Sequence, residues 1–281
     1  AIDDFMRPDR VVCGVEDEAA RATLEAIYRP LNLNRTPLFF TSLETAELIK
    51  YATNSFLATK IAFINEIADL CEAVGADVQQ VAQGLGFDGR IGPKFLHAGP
   101  GFGGSCLPKD TLALTRTAEL AGVPLRIVET VVAANESRKR NMVGKIVKAA
   151  GGSVADKTVA FLGVTFKPET DDVRESPSLV VVPALQGEGA EVRIVDPAGR
   201  ANAEALLPGV SWFDDPYAAA AAADVLVLLT EWNQFRGLHL DRLQAAMRSP
   251  VFVDLRNVYD PPAMRRAGFD YTSLGRGAPG A

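Results

Sequence analysis

The sequence predicts an α/β protein: an all-helical middle with one long helix, followed by a parallel sheet with helices on both faces. Three observations lead there. The apolar runs Thr158–Leu162, Glu191–Val195, Asp224–Leu229 and Val251–Val253 alternate with helical stretches near 177–187 and 216–223, as in a sheet built of βαβ units. From residue 42 to 149 the spacing is helical, over about 42–74, 77–84, 108–121 and 124–149. Ahead of these stand only two short strands and a helix, too little to bury a core alone.

Taken in order, Arg10-Val-Val-Cys-Gly14 and Pro37-Leu-Phe-Phe40 read as strands and Glu16 to Tyr28 as a helix. They have the character of the last layer of an α/β domain whose front is absent, and the start at Ala1 in place of Met agrees with a truncated chain. Thr41-Ser-Leu-Glu44 is a capping-box sequence. The helix it opens runs to Val74, where Gly75 is a C-terminal stop, and spans roughly 50 Å at 1.5 Å per residue. Leu48, Ile49, Phe56, Leu57, Ile61, Ile64, Ile67 and Leu70 put apolar groups on several of its faces, so it should be buried on most sides, spanning between domains or pairing with a second copy. A homodimer through the 42–74 helix is the expectation. Gly151-Gly-Ser153 marks a further boundary, and the Gly/Pro-rich tail after Tyr271 is expected to be loose. The expected domains are 1–40, 41–152 and 153–281.

Composition narrows the classes. The 281 residues are 48% hydrophobic and 23% charged, with a net charge of −6; that balance argues against nucleic acid as a partner. No apolar run approaches the roughly 20 residues of a membrane span. Three separated cysteines, Cys13, Cys71 and Cys106, form no CxxC pair and suit a reducing cytoplasm. With His97 and His239 the only histidines, a multi-histidine metal site is not expected.

The stretch Gly99-Pro-Gly-Phe-Gly-Gly-Ser-Cys-Leu-Pro-Lys-Asp110 is the most informative. Its glycines let backbone approach a ligand. Pro108 suits the first position of a helix, which puts Cys106 at a helix N-terminus, where the dipole and Lys109 both favour a thiolate. Asp110 lies within reach of a reacting group. Cys13 and Cys71 read as buried structural cysteines. Lys50 and Asn54 share a face of the long helix; taken alone they read more readily as a snorkelling surface pair than as a site. Arg90-Ile-Gly-Pro-Lys94 offers a cation for phosphate. Gly163-Val-Thr-Phe-Lys-Pro168 ends the first sheet strand without a GxGxxG fingerprint, so a nucleotide would bind there in some other way than in the usual dinucleotide cradle. Arg256 ends the last strand and could reach the same crevice, while Asp196 reads as a turn residue.

Four stretches in order, Glu47-Leu-Ile-Lys-Tyr-Ala-Thr-Asn54, Arg90-Ile-Gly-Pro-Lys-Phe-Leu96, Gly101-Phe-Gly-Gly-Ser-Cys-Leu-Pro-Lys-Asp110 and Gly163-Val-Thr-Phe-Lys167 with Arg174-Glu-Ser176, resemble the UDP-glucose/GDP-mannose dehydrogenase family. The second is more like its UDP-glucose branch. The resemblance implies a Rossmann-like nucleotide-sugar domain at the C-terminus, the remnant of an N-terminal Rossmann domain at the front, and NAD as cofactor. It implies oxidation of a UDP-sugar C6 alcohol to a carboxylate through a thiohemiacetal and a thioester on Cys106. Lys50 would steady the oxyanion, and Asn54 with Asp110 would position water. Phe95, Leu96, His97, Ala98, Gly99 and Gly103 would cover the nucleotide sugar. Arg90 would reach a neighbouring subunit's substrate. Phe166, Lys167 and Arg256 would touch substrate, and Lys109 and Arg174 would touch NAD. His97 stands where relatives often carry lysine or another residue. The family's NAD fingerprint, threonine and catalytic glutamates have no counterpart here, so the fragment alone is expected to be inactive.

Other readings stay open at this level: an enzyme for GDP-mannose or another nucleotide sugar, a non-catalytic nucleotide-sugar-binding and dimerisation module, or a cysteine hydrolase pairing Cys106 with His97.

Overall fold

The computed structural model of the chain describes residues 6–30 and 37–276. The expectations for Ala1 and for the tail beyond residue 276 lie outside the described residues. The chain divides into two compact units, 1–56 and 57–281.

In the first unit β1 (Val11–Gly14) and β2 (Leu38–Thr41) pair in parallel across α1 (Glu18–Tyr28). Asp17 opens α1 by accepting the Ala20 N–H at 2.7 Å. The long helix α2 (Leu43–Val74) has 32 residues, about 48 Å. Its cap is shifted by one from the expected box. Thr41 ends β2, and Ser42 Oγ accepts the Thr45 N–H at 3.3 Å. Gly75 closes α2 at φ 75°, a conformation glycine adopts without strain.

The expectation that α2 is buried on most sides does not hold within one chain. Ile64 and Ala68 are fully buried, but Phe56, Phe63, Leu70 and Val74 are exposed. One face of the helix carries Ile64 and Ala68; Phe56, Phe63 and Leu70, seven apart, line another that is exposed among the described residues.

The second unit continues with α3 (Val78–Phe87), α4 (Leu107–Leu120) and α5 (Arg126–Ala149). Six parallel strands follow: β3 (Thr158–Leu162), β4 (Glu191–Val195), β5 (Ser211–Phe213), β6 (Val225–Leu228), β7 (Val251–Asp254) and β8 (Asp270–Ser273), in spatial order β5-β4-β3-β6-β7-β8. The chain builds outward from β3 to β5, then returns to β6 and builds the other way. The loops after β3 and β6 therefore diverge and leave a crevice at the carboxyl ends of the strands. Side chains alternate between faces: Val159 and Phe161 enter one core, Ala160 and Leu162 the other. Burial on both faces is why β3 and β6 read as continuous apolar runs. Helix α5 joins the sheet to the helical layer. Its Met142 and Ile146 pack on the first sheet core, and its Val131 packs with Ala58, Ala62 and Phe102.

The crossovers are α6 (Ser178–Gly187), α7 (Arg200–Ala203), α8 (Pro216–Ala220), α9 (Asn233–Arg236), α10 (Leu240–Ala246) and α11 (Pro261–Arg266). The edge strands β5 and β8 escaped the sequence reading because they are short and carry polar residues. The alanine run is helical only to Ala220, because Ala222 sits at φ 54°, a left-handed conformation that a helix cannot contain. The loose tail expected after Tyr271 is corrected as far as Arg276. Thr272 and Ser273 complete β8, Leu274 is fully buried, and the Gly275 N–H donates to Glu72 Oε1 at 2.7 Å. A Cβ on Gly275 would stand 2.4 Å from Val78 Cγ1, so glycine is required by that close approach. Among the described residues no helix is long and apolar enough to cross a membrane.

Candidate active site

The segment from Asp88 to Cys106 has no regular structure apart from turns, and it carries half of the predicted site residues. Gly99 to Gly104 are all buried, while Cys106 is exposed. The glycines are required because the segment is packed on two sides. A Cβ on Gly101 would come within 3.1 Å of both Asn135 Oδ1 and Lys139 Cγ on α5. A Cβ on Gly103 would stand 2.4 Å from the Glu175 carbonyl oxygen, and one on Gly104 would stand 2.8 Å from the Phe166 ring. The Gly104 N–H donates to the Arg174 carbonyl at 2.8 Å.

Cys106 is the residue that caps α4, and its carbonyl accepts the Asp110 N–H at 2.9 Å. Its sulfur makes no capping hydrogen bond and lies 3.7 Å from Ser105 Oγ. Pro108 falls at the second helical position rather than the first, where its missing N–H is still harmless. Asp110 is 2% exposed, and Lys109 Nζ meets its carboxylate at 2.6 Å. Lys109, expected to favour the Cys106 thiolate, is ion-paired with Asp110. By contrast Cys13 and Cys71 are buried, and burial pushes both thiols up.

The crevice supplies the other groups. Arg256 donates through Nε to the Leu229 carbonyl at 2.8 Å and through Nη2 to the Phe166 carbonyl at 2.9 Å, with Glu231 Oε2 at 3.0 Å. It therefore ties the end of β7 to the loop after β3, as its position in sequence suggested. A Cβ on Gly99 would stand 3.3 Å from Arg256 Nη1, so the glycine segment begins against this guanidinium. Lys167 Nζ lies 5.5 Å from the centre of the Phe166 ring. Arg174 is paired with Asp172 at 2.9 and 2.8 Å, and those bonds hold the Asp172 carboxyl below the usual carboxylate range. A cavity of about 360 Å³ is lined by Gln79, Gln83, Leu96, His97, Ala98 and Arg256 among others. Leu96 is buried, His97 is exposed, and Phe95 takes φ 66°. Strained backbone of this kind concentrates at functional sites. Arg90 is exposed and doubly bonded to Asp88, and Lys60 Nζ donates to the carbonyls of Ile91 and Gly92 just after it.

Lys50 and Asn54 belong to the first unit, where they lie one turn apart on α2; Cys106, Asp110, Phe166 and Arg256 belong to the second. A larger cavity, about 710 Å³, is lined by residues such as Lys145, Lys148, Arg265 and Arg276, and by none of the predicted site residues. Chemistry outweighs volume here, because that groove is lined by no cysteine.

The loop after β3 is not a free phosphate cradle. Asp196, at the end of β4, accepts the N–H groups of Val164, Thr165, Ala198 and Gly199 at 2.6 to 3.1 Å. Backbone donors that a dinucleotide-binding sheet offers to phosphate are taken by this carboxylate. The turn role read for Asp196 is the one it has.

Two profiles of one family match the chain in order: UDP-glucose/GDP-mannose dehydrogenase family, central domain, over residues 44–137, and UDP-glucose/GDP-mannose dehydrogenase family, UDP binding domain, over residues 160–261. The chain belongs to the UDP-glucose/GDP-mannose dehydrogenase family. Among relatives, UDP-glucose 6-dehydrogenase of Rhizobium meliloti is 58% identical over 98% of this chain and 64% of its own length. The Rickettsia typhi UDP-glucose 6-dehydrogenase is 43% identical over 98% of this chain and 64% of its own. A UDP-glucose dehydrogenase structure from Pyrobaculum islandicum superposes with a TM-score of 0.88 at 37% identity, over 99% of this chain and 61% of that one. The chain thus spans less than two thirds of the length of these family members.

Sequence reasoning missed Asn65 on α2 and Asn135 and Arg138 on α5, which hold the glycine segment by hydrogen bonds, and Lys139 on α5, whose stem lies beside Gly101. All four are buried. A signal was available, since residues 131, 135, 138, 142 and 146 form one stripe of α5 at helical spacing. Two polar residues interrupt that stripe, and a buried polar position demands a partner.

Proposed function

We propose that the protein carries out the NAD-dependent four-electron oxidation of UDP-glucose to UDP-glucuronate, with Cys106 as nucleophile. The observation that carries this reading is an exposed thiol at the head of α4, delivered by a buried glycine segment that runs between Arg256 and Arg174. In the proposed chemistry the Cys106 thiolate adds to the C6 aldehyde, forming the S–C bond while the carbonyl electrons pass to oxygen, which takes up a proton. After the second oxidation, water adds to the resulting thioester, the C–S bond breaks, and the carboxylate leaves with the thiol restored. Lys50 would face the oxyanion, and Asn54 and Asp110 would orient the water. NAD, when bound, would accept the hydrides; from this chain Lys109 and Arg174 would contact it, and the remaining contacts would have to come from elsewhere.

The exposed groups Phe56, Phe63, Leu70 and Val74 support the proposed homodimer on α2, since a contiguous apolar face of this kind marks an association surface. Arg90 would then serve the neighbouring copy. A stable monomer at micromolar concentration by sedimentation would overturn the dimer. The unpaired cysteines fit a proposed location in the reducing cytoplasm.

NADH release by the full-length gene product with UDP-glucose, compared with GDP-mannose and UDP-N-acetylmannosamine, tests the substrate. Binding is tested on residues 1–281. Calorimetry is expected to show weak UDP-glucose binding without NADH formation, and Arg256→Ala is expected to weaken that binding about 10- to 100-fold, the worth of a charge-assisted contact. Unchanged affinity in Arg256→Ala would remove Arg256 from the site.

A further inference from the structure

Cys106 faces solvent, yet the six residues from Gly99 to Gly104 are buried, and Gly99 and Phe102 among them are held by side chains. Asn135, 4% exposed, grips a single residue by both backbone groups. Its Oδ1 accepts the Phe102 N–H at 2.8 Å, and its Nδ2 donates to the Phe102 carbonyl at 3.0 Å. One turn further along α5, Arg138 Nε donates to the Gly99 carbonyl at 2.9 Å, while Asn65 Oδ1 accepts the Gly99 N–H at 2.8 Å. A primary amide that satisfies both the N–H and the C=O of one residue acts as a strand neighbour would, and sets both the place and the plane of that backbone. The Phe102 side chain packs with Ala58, Ala62 and Val131, and Leu107 packs on the same cluster. The anchor therefore reaches both sides of Cys106 in sequence.

We propose that Asn135 is a positioning residue for the Cys106 thiol, clamping the Phe102 backbone so that the glycine segment presents Sγ in one orientation at the head of α4. The consequence for turnover rests on the reading of Cys106 as nucleophile; the consequence for thiol access does not. The amide is specific to this task. Aspartate has the same shape and can still accept the Phe102 N–H, but it sets a carboxylate oxygen against the Phe102 carbonyl, two acceptors with no proton between them. The packed glycines leave the segment no room to shift slightly, so relief of that repulsion moves the segment as a whole.

The test compares Asn135→Asp and Asn135→Ser with Ile146→Ala, a fully buried core change on the same helix that touches none of the segment's hydrogen bonds. On residues 1–281 the rate of Cys106 alkylation by iodoacetamide is followed by mass spectrometry. On the full-length gene product kcat and KM for UDP-glucose are measured. Asn135→Asp is expected to change the alkylation rate several-fold and to lower kcat on the order of 100-fold, as misplacement of a reacting group by an ångström does, with KM little changed. Asn135→Ser, which keeps a small donor and acceptor, should be affected less, and it serves if the aspartate variant does not fold. Ile146→Ala should lower the urea midpoint without either effect. Wild-type alkylation and kcat in both Asn135 variants, or equal effects from Ile146→Ala, would overturn the proposal. Altered alkylation in the Asn135 variants together with full uronate formation by a Cys106→Ser enzyme would leave the positioning role standing and remove the nucleophile reading instead.

Discussion

Cys106→Ser in the full-length gene product is expected to lower uronate formation by on the order of 10⁴-fold or more, as loss of a covalent nucleophile does elsewhere, while UDP-glucose still binds. The substitution changes one exposed atom. Cys106 makes no capping hydrogen bond, so α4 and the glycine segment should stay as they are. What changes is nucleophilicity, because a serine hydroxyl is weak without an adjacent base, and the group recorded beside the sulfur is another hydroxyl, that of Ser105. The first oxidation needs no thiol, so product analysis should find material at the aldehyde level in place of carboxylate. Wild-type uronate yield would refute the assignment. In residues 1–281 the same substitution should remove the one rapidly alkylated thiol. Cys13 and Cys71 are buried, and burial raises both thiols away from the reactive thiolate. Rapid modification of either would contradict the packing described here.

The second large effect concerns stability, and its sign of asymmetry is the useful part. Arg138 is 4% exposed and forms an ion pair with Asp69, which is 52% exposed. Asp69→Ala is expected to cost about 3–5 kcal/mol, the usual penalty for leaving a buried charge without its partner. One guanidinium nitrogen, Nη2, is already buried without a hydrogen-bond partner, so after the substitution only the Gly99 carbonyl would remain to Arg138. Arg138→Met should cost less, about 1–3 kcal/mol, because it leaves one carbonyl unpaired and a carboxylate that water can reach. The partly exposed aspartate is thus predicted to matter more than the buried arginine. Urea denaturation of both variants and of the double variant measures this. Equal losses, or a larger loss from Arg138→Met, would show that the pair is not holding a buried cation.

Much of the fold was legible because its signals are local. Thr158–Leu162 and Glu191–Val195 were bounded correctly, since strands buried on both faces are continuous apolar runs. The ends of α2 and α4 were visible in Gly75 and Pro108. Edge strands β5 and β8 were not, because a short half-exposed strand has the composition of a loop. The stop after Ala220 was hidden in a run of alanines, each of which favours helix on its own; the left-handed turn at Ala222 comes with its N–H bonded to the Ala246 carbonyl, a partner distant in sequence.

For the site, local chemistry singled out Cys106, Asp110 and Arg256 as candidates, from a glycine run before a cysteine at a helix start and a cation at a strand end, whereas Arg174 was named only through the family resemblance. How these groups are held is a matter of long-range geometry. Arg256 reaches the Phe166 carbonyl across 90 residues of sequence, Asn135 reaches Phe102 across 33, and Asp196 fills the turn after β3 from 32 residues away. Each depends on which elements lie side by side and on how far a side chain extends between them, and neither quantity is carried by local composition. An asparagine or arginine in a helix reads as a surface residue until packing buries it, and only burial turns its hydrogen bonds into an obligation.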